Sequence, residues 1–169
     1  MGIMDVVEEF HDQIDYNVHR DCENKYEKSN DCIECCQKPY FEKISIDYTC
    51  AQKRKLYVIR YAPAYISEVR SALRVTPRDY IKSLLAKDEV RVASIGGGPG
   101  TDIAAFKQWL SLTIEDEDRL NKVRFLRVDI HEDWDDISSK LLNLYNVDGI
   151  DYEYKKIKKD ICSHQINSK

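Results

Sequence analysis

Glycine and proline are scarce: the 169-residue chain has six glycines and four prolines, with two methionines and two tryptophans. So little glycine and proline excludes a collagenous or low-complexity chain, and a hydrophobic fraction of 43% with 33% charged residues excludes wholesale disorder. No apolar run approaches the roughly 18 residues needed to cross a bilayer. Basic excess is also missing. The formal charge of -4 gives no global electrostatic reason for tight nucleic-acid binding. The short runs Lys53-Arg54-Lys55 and Lys155-Lys156 with Lys158-Lys159 read as solvated faces. The first residues, MGIMDVVEEFHDQ, are acidic where a secretory signal is basic and then apolar, so the expected address is cytoplasmic or nuclear. Without an export signal, the six cysteines are expected to be thiols rather than a disulfide framework.

What glycine there is has been concentrated. Four of the six fall within five residues, in the segment VASIGGGPGTDIAAF from Val92 to Phe106. On its N-terminal side, EVRVASIG from Glu89 to Gly96 is short, mostly apolar and rich in β-branched residues, as a buried parallel strand is. On its C-terminal side a helix is expected from about Thr101 to Leu112. KVRFLRVDI, from Lys122 to Ile130, alternates as a second strand, Trp134 to Tyr145 is amphipathic, and Asp148-Gly149 turns the chain toward a third strand near Ile150 to Ile161. The succession strand, helix, strand, helix, strand predicts a parallel sheet with right-handed crossovers.

Before Asp88 the pattern is helical. Val6, Val7, Phe10, Ile14 and Val18 form one apolar face between Asp5 and about Glu27, followed by a polar, cysteine-bearing connector from about Lys28 to Pro39. Leu56 to Leu73 carries a stripe through Tyr57, Tyr61, Tyr65 and Val69, with Pro63 expected to kink or split that helix. Thr76-Pro77 reads as the cap and first residue of a further helix. The division expected is thus a helical N-terminal region, 1–88, and a sheet-bearing region, 89–169.

A glycine run between strand and helix lets the chain turn sharply and lets a ligand approach main-chain N–H groups with no Cβ in the way. No lysine follows Gly100, against a nucleoside-triphosphate loop, and Thr101 stands where a dinucleotide fingerprint requires its third glycine. ASIGGGPGTD instead resembles the first motif of the class I S-adenosylmethionine-dependent methyltransferases. The resemblance implies an incomplete Rossmann-like parallel sheet, three strands in the order 3-2-1, truncated after the third strand. It implies S-adenosylmethionine as cofactor, with Gly96, Gly97, Gly98 and Gly100 around its methionine and ribose portions and Asp102 a candidate for its amino group. By the same resemblance Asp129 accepts from the ribose hydroxyls, Ile130 lies against adenine, and Asp160 and Ile161 meet the exocyclic amine and ring face. Where the family commonly has an acidic residue two before the first glycine, this chain has Ser94.

The function expected is a methyltransferase or its N-terminal, cofactor-binding portion without independent activity, with RNA, protein or a small molecule as methyl acceptor. No catalytic residue is assigned. The absent fourth strand leaves the first strand's edge to be completed by the remainder of a longer enzyme, or covered by the helical region, by a partner chain or by a second copy. The alternative is a non-enzymatic interaction module with a degenerate fold, its Cys22 to Cys50 cluster taking a zinc ion with help from His19.

Overall fold

The computed structural model describes residues 2–15, 26–27, 29–42, 44, 46–115 and 117–159. The chain divides into two compact units, Met1–Ala64 and Tyr65–Lys169. His19, Cys22, Asp160 and Ile161 lie outside the described residues.

The first unit contains α1 (Ile3–Asp12), α2 (Cys32–Phe41) and the first part of α3 (Ala51–Arg74). In α1, Val6 and Phe10 are buried at a spacing of four, and Asp5 accepts the Gly2 amide at 2.7 Å, satisfying a donor the helix start leaves free. The segment expected as a connector is helical at α2. Asp31 accepts the Glu34 amide at 2.8 Å, and Cys32 and Cys36 fall on one face that packs with Leu56, Ile14, Ile33 and Tyr61. Cysteine behaves here as a small hydrophobe, which a polar reading of the segment overlooks. Lys53 and Arg54 are buried rather than solvated, at 3% and 8% exposure, and Arg54 donates to the Tyr48 and Thr49 carbonyls at 2.8 and 2.7 Å.

Pro63 does not split α3, which continues for 24 residues from Ala51 to Arg74. Burial of Leu56, Val58, Ala62 and Ile66 supplies packing on one side of the helix, and such packing outweighs the roughly 3 kcal/mol that an interior proline costs.

The second unit continues with α4 (Arg78–Leu85), β1 (Glu89–Ile95), α5 (Thr101–Ser111), β2 (Lys122–Asp129), α6 (Asp135–Leu142) and β3 (Asp151–Lys158). Pro77, not Thr76, occupies the cap of α4, because the Thr76 amide closes the end of α3 on the Leu73 carbonyl at 3.1 Å. The three strands are parallel with β2 in the centre. Val92, Phe125 and Tyr154 form one cross-strand row, and Ser94, Arg127 and Lys156 another.

The core lies on one face of this sheet, where Val90, Val123 and Phe125 pack with Ile103, Phe106, Trp109 and Leu110 of α5 and with Leu85. Trp109 and Trp134 are both buried, as packing residues. The alternate residues of β1, expected in a fully buried strand, face the other way: Arg91, Ala93 and Ile95 are exposed. Consecutive right-handed crossovers that step in one direction put both α5 and α6 on the same side, so among the described residues of the second unit no crossover helix covers this second face. An ion-pair ladder covers its N-terminal end, Glu89 to Arg124 at 3.2 Å and Arg124 to Glu153 at 2.8 Å. Among the described residues, no helix is long and apolar enough to cross a membrane.

Candidate functional site

Beyond the carboxyl ends of β1 and β2 the chain makes the turn Gly96–Gly100 and enters α5. Gly96, Gly98 and Gly100 have φ of 66°, 47° and 89°, values an L side chain rarely adopts, so the turn is built for glycine. Gly97 is required for a different reason. A Cβ there would lie 2.0 Å from the Ser94 hydroxyl and 3.1 Å from Arg127 Cγ. Ser94 itself is 1% exposed, and among the described residues its hydroxyl has no hydrogen-bond partner.

The glycine run predicts amides open to a ligand, whereas in the structure all four amides of the turn, Pro99 having none, are engaged within the protein. The amides of Gly96 and Gly97 both donate to the Val128 carbonyl, at 2.8 and 3.3 Å, prolonging the β1–β2 ladder. Gly100 donates to the Gly97 carbonyl at 2.7 Å, and Gly98 donates to Asp129 Oδ2 at 2.7 Å. The other Asp129 oxygen accepts the His131 amide at 2.8 Å. Asp129 thus ends β2 with both oxygens oriented by main-chain donors. A carboxylate has about four lone-pair sites, and each oxygen here retains one.

Arg127 braces the turn from below. Its Nη1 donates to the Gly98 carbonyl at 3.1 Å and to the Ser138 hydroxyl, and its Nη2 donates to Asp135 at 2.7 Å. Its side chain is 5% exposed while Asp135 is half exposed, a pairing that anchors the start of α6 to the sheet. Trp134 closes the underside: a Cβ on Gly98 would sit 3.8 Å from its ring. Ile130, the next residue after Asp129, is 48% exposed, and Ile95 at the end of β1 is 56% exposed. Two large apolar side chains therefore stand in solvent at the strand ends that carry the turn. Asp102 lies half-buried in the first turn of α5, its carboxylate accepting the Ile103 amide at 3.0 Å. The structure brings the four glycines, Asp129 and Ile130 together at one end of the sheet.

Lys107, absent from the residues the sequence singles out, is 0% exposed on α5. Its Nζ donates to the Leu142 carbonyl, to Asn146 Oδ1 and to the Tyr154 hydroxyl, the last at 2.9 Å, and lies 4.5 Å from the centre of the Tyr152 ring. Oxygen acceptors and a π face hold an ammonium here with no carboxylate among them. A lysine amid the apolar residues of an α5 helix has no sequence signal of burial, so nothing short of the fold reveals it. Burial pushes Lys107 down to about 8. The folded protein therefore binds fewer protons than the unfolded chain between that value and the ordinary lysine range. Lys107 is expected to contribute a rise in stability of on the order of 2 kcal/mol from pH 7 to pH 10, opposed above about pH 9 by the raised Cys36 thiol, and Lys107→Met should remove that contribution. Urea unfolding across this interval is the check. Above pH 10 the opposite sign takes over, because burial raises Tyr152 and pushes Tyr154 up to about 12, so ionisation then favours unfolding.

In the cysteine region the side chains of Cys32, Cys35 and Cys36 are buried, and burial pushes Cys36 up to about 11. The Tyr26 amide donates to Cys35 Sγ at 3.1 Å. Among the described residues, no group of three or more histidine, cysteine or acidic side chains is placed to hold a metal ion.

Comparison of the chain with protein-family models, with curated proteins and with solved structures gives no match.

Proposed function

We propose that the turn Gly96–Gly100, with Asp129 and Ile130, receives the nucleoside portion of S-adenosylmethionine, and that the chain is the cofactor-binding part of a class I methyltransferase with a Rossmann-like sheet. One observation carries the reading: the Asp129 carboxylate is held by the Gly98 and His131 amides with a lone pair to spare on each oxygen. Vicinal ribose hydroxyls present two donors, which matches that acceptor pair. The neighbouring Ile130 offers an exposed apolar surface suited to an adenine face. A position at the carboxyl ends of parallel strands is where open α/β sheets take their ligands. The residues present therefore suit the nucleoside, while the engaged amides of Gly96, Gly97 and Gly100 argue against the same loop holding a polyphosphate.

In-line methyl transfer needs mainly positioning and exclusion of water, and the cofactor supplies the electrophilic methyl group itself. Asp129 orients the sugar in this reading, and Ile130 excludes water from one face of the base.

Calorimetric titration with S-adenosylhomocysteine, NAD and ATP tests the proposal. S-adenosylhomocysteine is expected to bind in preference to the other two. Ile130→Glu should weaken it at least tenfold with little change in the melting temperature, since the side chain is already about half exposed. Equal affinity in that variant, or no heat with S-adenosylhomocysteine, would reject the nucleoside site.

A further inference from the structure

The outer edge of β1 has a defined hydrogen-bond pattern. Lys122 donates its amide to the Asp88 carbonyl and Gly96 donates to the Val128 carbonyl, so the even-numbered residues between them turn their main-chain groups toward β2. The odd-numbered residues Arg91, Ala93 and Ile95 turn theirs outward. Among the described residues, no main-chain partner meets them there. Alongside this edge runs a groove of about 310 Å³ whose lining includes Leu73, Ile81, Leu84, Val92, Phe106 and Trp109, with Tyr80 and Thr76 on its rim. The floor is apolar and continuous with the core of the second unit.

The two features together specify an occupant more narrowly than an apolar patch does. Outward N–H and C=O groups in alternation are satisfied by an extended main chain, and a groove on one side of that main chain takes every second side chain. Arg74, Arg78 and Lys82, all exposed, lie on the two helices bordering the groove, against Asp79 as the opposing charge within the same stretch. We propose that this edge binds a single extended segment of another polypeptide, with apolar residues at alternate positions and acidic residues at its ends, adding a fourth strand beside β1. A second copy of the chain fits less well. Antiparallel pairing of two β1 edges about a two-fold axis puts both copies of α4 on the same face over the same joint. The methyltransferase reading also expects a strand beside β1, but the edge and groove do not include the nucleoside site, so the two proposals fail separately.

The probe is the fluorescein-labelled peptide Glu-Glu-Val-Thr-Val-Thr-Val-Glu, followed by polarisation against the full chain. Two further peptides carry N-methyl groups on the valine amides or on the threonine amides. Binding is expected for the parent peptide and for one methylated version, with the other at least tenfold weaker, because only one set of amides can face β1. Ala93→Pro should abolish binding while leaving the β1–β2 ladder and the melting temperature intact, since the amide it removes points away from β2. Tyr80→Glu, at a position 62% exposed, should weaken the acidic peptide without unfolding the protein. Equal binding by both methylated peptides, full binding by Ala93→Pro, or no binding at 1 mM peptide would overturn the proposal. So would a wild-type dimer in sedimentation that Ala93→Pro dissociates, which would assign the edge to a second copy.

Discussion

Replacing Asp129 by alanine is expected to lower the stability of the second unit by about 3 kcal/mol and to abolish measurable S-adenosylhomocysteine binding, two effects with one cause. The carboxylate accepts the Gly98 and His131 amides, one on each oxygen. Its loss leaves both main-chain donors without an acceptor at a residue only 9% exposed. Charge-assisted hydrogen bonds contribute about 1.5 to 3 kcal/mol each, and some of the loss is recovered by water reaching the vacated space. Asp129→Asn separates the two roles. Its amide retains one acceptor oxygen, so stability should fall by about half as much, while a diol needing two acceptors should still bind far more weakly. Urea unfolding and calorimetry on the same preparations give both numbers. Wild-type stability in Asp129→Ala would show that these amide bonds do not hold the turn. Wild-type affinity in a folded Asp129→Asn would show that the carboxylate is not the diol acceptor.

Gly97→Ala should be comparably damaging, by about 3 kcal/mol, through overpacking rather than backbone strain. The added Cβ meets the Ser94 hydroxyl at 2.0 Å and the Ser94 Cβ at 3.1 Å, both held in a strand, and Arg127 Cγ at 3.1 Å behind them. Arg127 cannot retreat easily, since it is tied to Gly98, Ser138 and Asp135. Ser94→Ala removes the nearest atom and, because that hydroxyl is buried without a partner, should itself be neutral or stabilising. The double variant is therefore expected to recover more than half of the loss. A double-mutant cycle in urea measures the coupling, and additive effects would mean that the hydroxyl is not what excludes a side chain at position 97.

Much of the second unit is readable along the chain. The change from a helical to an alternating pattern after Asp88 anticipates β1 and β2 to within a residue or two, because side-chain periodicity is a local property. The glycine turn is readable for the same reason, since φ values of 47° to 89° select glycine regardless of what lies nearby. Asp129 is legible as the last residue of an alternating strand. Other readings fail where composition and burial part company. Lys53 and Arg54 look like a solvated run and are buried, and the cysteine segment looks like a connector and forms α2 around Cys32 and Cys36.

By itself the sequence determined the order of the elements in the second unit, the parallel three-stranded sheet that such an order demands, and a glycine turn beside a strand-ending carboxylate. Tertiary structure alone decided how the turn's amides are engaged. Gly98 finds its acceptor 31 residues away, and no local pattern specifies that distance. Tertiary structure likewise decided that Lys107 lies buried among oxygen acceptors and that, among the described residues of the second unit, no helix packs on one face of the sheet and no strand pairs with the outer edge of β1. These features depend on which surfaces meet, and pairing between distant segments is fixed by packing rather than by propensity.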